Sequence, residues 1–137
     1  MKIGYYDHKL FICLPSGRKL AYIEPEKRLN SFNRMELTYM GVGKTRKWER
    51  IMTYGPKLVE NCIQAIARDI LAEAMLRVDA TGFDIVAHVH DEMIVEVPNG
   101  KSSVKELCDM MAESPDWVDD KLPLRADGYE CEWYRKD

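Results

Sequence analysis

Apolar positions along the chain switch between a period of two and a period near three and a half, and each switch marks an element. Residues 9–14 and 18–24 are short apolar or aromatic runs on either side of Pro15, Ser16 and Gly17. Those three supply turn geometry, so a hairpin is expected. Pro25 ends it in this reading, and the charged run 26–34 is expected to form an outward loop. Residues 36–42 read as another strand, followed by the basic segment 44–50 and a short run, 51–54, that pairs back on it.

Gly55-Pro56 opens the longest periodic segment, a helix expected over residues 57–78, where a proline in the first turn has no donor to lose. Val59, Cys62, Ile63, Ile66, Ile70, Ala74 and Val78 recur at steps of three, four or their sum and form an apolar stripe. Lys57, Asn61, Gln64 and Arg68 form a second stripe of cations and amides, with Glu60 beside it. Thr81-Gly82 stops the helix.

Residues 83–98, FDIVAHVHDEMIVEVP, then set two apolar, β-branched runs around His90, Asp91 and Glu92. The pattern predicts a buried, tight hairpin with acids at its tip. Strand alternation would aim His88 and His90 one way and Ile85, Ala87 and Val89 the other.

Asn99-Gly100 turns the chain, and Ser102 or Ser103 can cap a helix to about Glu113 with Val104, Leu107, Cys108 and Met111 facing inward. Residues 122–126 and 129–134 read as edge strands. No repeat or linker divides the sequence, so residues 1–137 are expected to be a single α+β domain with antiparallel strands.

Composition narrows the functional classes. A length of 137 residues suffices for one core, and the net charge of −3 gives the whole molecule no basic excess of the kind that announces nucleic-acid binding. Any such surface must be local. Cys13, Cys62, Cys108 and Cys131 are far apart, with no paired spacing and no leader-like segment, which points to reduced thiols in the cytoplasm. No apolar run approaches the roughly 20 residues of a membrane span, so no membrane partner is expected.

Three short patterns suggest chemistry. Gly41 to Thr45, GVGKT, lacks the earlier glycine of a phosphate loop, because Thr38 stands at that place, and no amphipathic helix follows it. His88-x-His90 would suit zinc if a third ligand joined it, but His8 is the remaining histidine. Asp91-Glu92 on a rigid tip suits Mg²⁺, which takes oxygen ligands and keeps waters or substrate phosphates. Two such ions about 4 Å apart can activate a primer hydroxyl and stabilise leaving pyrophosphate, but one acidic tip cannot hold both. The amide and cation stripe matches minor-groove acceptors that every correctly paired base displays. Lys44, Arg46, Lys47, Trp48 and Arg50 can add phosphate contacts.

These pieces together resemble the C-terminal part of the palm in family A DNA polymerases, the DNA polymerase I class, in its phage and prophage forms. Four blocks carry the resemblance in the family's order: LPSGRKLAYIEP from Leu14, TYGPKLVENCIQAIARDILAEAM from Thr53, AHVHDEMIVEV from Ala87 and LPLRADGYECEWY from Leu122. The resemblance implies that Asp91 is the metal-binding aspartate of motif C, with His90 by the primer terminus and Glu92 supporting the metal site. Gln64 matches the glutamine that contacts the duplex near the terminal pair. At the place of an asparagine four residues earlier this chain has Glu60, and the stripe favours Asn61 for that role.

Motif A, a strand reading roughly DYSQIELR with the other metal aspartate, does not occur in the sequence, nor does the motif B fingers helix. Met1 lies just upstream of the first matching block, so the chain is expected to be an excised piece, a truncated product or one half of a split polymerase. Expected partners are primer-template DNA, deoxynucleoside triphosphates and a separate portion bearing motifs A and B. Self-association through an unpaired strand edge is a further expectation. The rival readings are a non-catalytic module that binds DNA or a partner through the helix stripe, and a zinc hydrolase.

Overall fold

Pro15 to Gly17 turn the chain as their composition predicts. In the computed structural model, Gly17 takes a φ of 87° and the Leu14 N–H donates to the Arg18 carbonyl at 2.8 Å. The structure describes residues 1–119 and 121–135. Strand β1 spans Lys2–Tyr6, β2 Lys9–Cys13, β3 Lys19–Leu29, β4 Met35–Val42 and β5 Trp48–Thr53; helix α1 spans Gly55–Ala80. Strands β6 (Asp84–Val89) and β7 (Glu92–Glu96) and helix α2 (Val104–Ala112) follow. The fold is α+β, with a five-stranded antiparallel sheet in the order of the chain and a separate two-stranded antiparallel sheet.

Pro25 does not end β3. The strand runs on to Leu29, and its register with β4 shifts between Ile23 and Glu26. Glu24 takes a φ of 45° at this bulge and donates its N–H to the His8 carbonyl at 2.8 Å. Proline has no N–H for a ladder, and a bulge is one of the few places inside a sheet that tolerates it. The outward loop therefore shrinks to residues 30–34, where the Asn30 side-chain oxygen accepts from the N–H groups of Phe32 and Arg34. Strand β5 likewise starts at Trp48, inside the segment expected to be a basic loop, because Val42 pairs with Trp48 and Met40 with Arg50. Strand β1 was outside the expected elements; all five of its residues are exposed.

The chain forms two compact units, Met1–Ile66 and Ala67–Asp137. In the first, Ile12, Leu14 and Tyr22 are buried with Cys62 and Ala65 of α1, and Leu10, Leu20, Tyr39, Leu58 and Ile66 pack around them. The Tyr22 and Tyr39 rings meet edge to face at 5.0 Å. Arg18 donates to the Ala65 carbonyl at 2.8 Å, and Asn61 donates to the Tyr22 hydroxyl at 3.2 Å. The inward helix face here is Leu58, Cys62, Ala65 and Ile66. Val59 and Ile63, expected on the apolar stripe, are 56% and 60% exposed. Cys62 and Ile66 are common to the expected and observed faces, while Leu58 and Ala65 take the places of Val59 and Ile63, on the side tied by Ala65 to Arg18 and by Asn61 to Tyr22.

Burial raises the Tyr22 phenol above its ordinary value of 10.0, against the opposing hydrogen bond from Asn61. A raised folded-state value means that its contribution to stability is complete below about pH 10 and is lost as the pH climbs through the folded value. Urea midpoints at about pH 8 and about pH 11 are expected to fall further for the parent than for Tyr22→Phe, whose ring cannot ionise. An equal fall in both would count against this.

In the second unit, Leu71, Ala74 and Val78 are buried and Trp117 donates to Glu73 at 2.7 Å. Ser103 caps α2, its hydroxyl accepting from the Glu106 N–H, while Ser102 donates to the Glu106 carboxylate at 2.8 Å. Val104, Leu107, Cys108 and Met111 are half-buried, and α2 has no buried residue. The buried hairpin expected at residues 83–98 is instead largely exposed, Val86 at 57%. Residues 122–126 and 129–134 are irregular, not strands. Among the described residues, β6 and β7 pair only with each other, and neither run adds to an edge of that ribbon.

Candidate functional site: an acidic hairpin tip and a polar helix stripe

Val89 and Glu92 form the last pair of the β6–β7 ladder, leaving His90 and Asp91 as a two-residue loop. His90 takes a φ of 54°, the left-handed conformation such short loops demand at the first position. The turn exposes both residues and Glu92. It also removes His90 from the strand, so its ring no longer shares a ladder face with His88, which pairs with Met93. The register shift between Ile85 and Ala87 breaks the expected alternation a second time: Ile85 stands opposite Val95 and Ala87 opposite its neighbour Ile94. Ile85 and Ala87 therefore do not share a face.

Among the described residues, no group of three or more His, Cys, Asp or Glu side chains is placed to hold a metal. A zinc hydrolase needs three protein ligands, and the described residues of this chain do not bring three together. It is compatible with a shared Mg²⁺ site, because magnesium keeps several waters and takes one or two carboxylates. Asp91 fits that requirement as a single oxygen donor.

On α1, Lys57, Gln64 and Arg68 are exposed and Asn61 is half-buried. Lys57 pairs with Glu60 at 2.9 Å, a contact that raises the ammonium's pKa and spends its charge locally. Asn61 commits its amide N–H to Tyr22. Gln64 and Arg68 thus remain as the amide and cation of the stripe with no side-chain partner among the described residues. Gln64 lies in the first compact unit, and Arg68 lies in the second with the acidic tip. Tyr22 was missed as the partner of Asn61, although its alternation with Leu20 on β3 places it on the inward face.

The chain is similar to a DNA polymerase of Bacillus phage SP02, 46% identical over 134 residues, which is 97% of this chain. It spans about a fifth of that polymerase's length, 20%. No protein-family profile matches the chain, and no solved structure matches it. The four cysteines are free, and among the described residues no helix is long and apolar enough to cross a membrane.

Proposed function

We propose that this chain is the motif C portion of a family A DNA polymerase palm. The observation that carries the reading is the Asp91 tip, a two-residue loop closing the β6–β7 ladder, in a chain of which 97% matches a phage DNA polymerase. The reaction is nucleotidyl transfer from a deoxynucleoside triphosphate to a primer 3′ end. Asp91 contributes one carboxylate to a magnesium site shared with a motif A aspartate from the remainder of the polymerase, and the metal supplies charge stabilisation and an activated hydroxyl there. Glu92 adds negative charge beside Asp91, and in this reading His90 meets the primer terminus. Gln64 and Arg68 offer an amide and a cation to the minor groove and backbone, a contact that follows duplex shape and ignores sequence.

The remainder supplies what this chain lacks. Both outer edges of the β6–β7 ribbon are free among the described residues, so the ribbon has room for a further strand, from the motif A portion or from a second copy. The purified chain alone is expected to extend no primer. Substituted for the matching segment of the phage SP02 polymerase, it is expected to support extension. Extension by the isolated chain, abolished by Asp91→Ala, would overturn the fragment reading. A chimera that folds and binds primer-template but extends nothing favours the non-catalytic module.

A further inference from the structure

The net charge of −3 conceals a sharp division along the chain. Residues 1–54 hold eleven Lys and Arg against five Asp and Glu, a net +6, whereas residues 55–137 hold nine against eighteen. The basic part is the five-stranded sheet. One face of that sheet is closed by α1, through Ile12, Leu14 and Tyr22. Alternation puts Tyr6, Phe11 and Trp48 on the other face, with Lys2, Lys9 and Lys19. Tyr6 is 78% exposed and Trp48 60%, so this face is open.

Only part of its charge is spent internally. Arg50 and Arg28 are neutralised by Glu24 and Glu26, and Lys9 by Asp7. Lys2 and Lys19 form no ion pair among the described residues. The same is true of Lys44, Arg46 and Lys47, which form the tip joining β4 to β5 and adjoin Trp48. Aromatic rings standing among unpaired cations on an open sheet complement a polyanion whose bases are free to stack.

We infer that the open face of the five-stranded sheet binds single-stranded nucleic acid, with Trp48, Phe11 and Tyr6 stacking on bases and the 44–47 tip gripping phosphates. Duplex is a poor occupant, since its base faces are already stacked on one another. Tyr6 and Phe11 stand on neighbouring strands about 4.8 Å apart, and Trp48 stands three strands beyond Phe11, so a bound single strand would run across the ladder. Phosphates and base faces are common to DNA and RNA, and nothing on this face selects a 2′-hydroxyl. This inference uses none of the residues of the Asp91 tip and does not depend on the polymerase reading.

The test is fluorescence anisotropy of the purified chain with labelled oligo-dT and oligo-rU of about 16 nucleotides, and with a duplex of equal length, over a salt series. Single strands are expected to bind more tightly than duplex. Trp48→Ala is expected to weaken them about tenfold, with Trp48→Phe restoring most of the loss. Converting Lys44, Arg46 and Lys47 to glutamine is expected to flatten the logarithmic salt slope by about two. Circular dichroism confirms that the variants fold. The stronger of the deoxy and ribo arms identifies the natural strand, and both are consistent with the site. Binding that is absent, equal for duplex, or insensitive to Trp48→Ala would overturn the inference, whatever the phage chimera does.

Discussion

Asp91→Asn in the phage SP02 chimera is expected to slow nucleotide incorporation on the order of 10³-fold while changing primer-template affinity less than about threefold. Asparagine keeps the size and the loop-forming tendency of aspartate, so the two-residue turn at His90 and Asp91 should persist. What it loses is the negative charge. A ligand change that weakens charge stabilisation only as the reaction proceeds costs about 4 kcal/mol at the barrier and little in the ground state. In the proposed reading affinity is held elsewhere, by phosphate and groove contacts that Asp91 does not make. Single-turnover incorporation, measured with the binding isotherm of the same preparation, separates the two quantities. A variant with near-parental rate, or one whose defect lies wholly in DNA affinity, would remove Asp91 from the reaction. Raising the magnesium concentration should recover part of the rate in the variant, because weakened ligation is opposed by mass action.

How much of this site was legible from residue order depends on which interaction decides each feature. The hairpin and its acidic tip were, because two β-branched runs around a short polar break leave few alternatives. The start and length of α1 were nearly so, since Gly55-Pro56 and Thr81-Gly82 punctuate it locally. Its inward face was not: Val59 and Ile63 scored as apolar, but the sheet meets Leu58, Cys62 and Ala65, a choice made by residues some 40 positions away. Burial of the β6–β7 ribbon failed for a related reason. Val, Ile and Ala suit a covered strand, yet covering requires another element, and among the described residues no further strand joins the ribbon. Apolar residues left exposed on a ribbon with free edges are consistent with a piece whose sheet continues in another segment. The loss of His88 and His90 from a common face shows the limit of spacing, since one left-handed residue cancels the strand period. The charge division was present in the sequence throughout and vanished only when the whole chain was summed.

Arg77→Met is expected to destabilise the second unit by about 2–3 kcal/mol, the largest effect anticipated from a single side chain away from the hairpin. Helix α2 is nine residues long and buries none of them, so packing alone leaves it weakly held. Its last-turn carbonyls also lack helical partners. Arg77, on α1, supplies them: its guanidinium donates to the Met110 carbonyl at 3.3 and 3.2 Å and to the carbonyl of Glu113, the C-cap. A cation at the negative end of a helix adds to these bonds. The ion pair to the Glu113 carboxylate at 3.6 Å is mostly solvent-facing and adds little. Methionine retains the aliphatic stem, so the difference reads the polar head and not the packing. Lysine should recover less than half of the loss, because one ammonium cannot reach both carbonyls in the guanidinium's fixed fork. Urea denaturation gives the stability, and hydrogen exchange at the amides of residues 108–112 gives the location. Exchange in α2 that is unchanged by Arg77→Met would mean that the short helix is held by its Ser103 cap and its half-buried face.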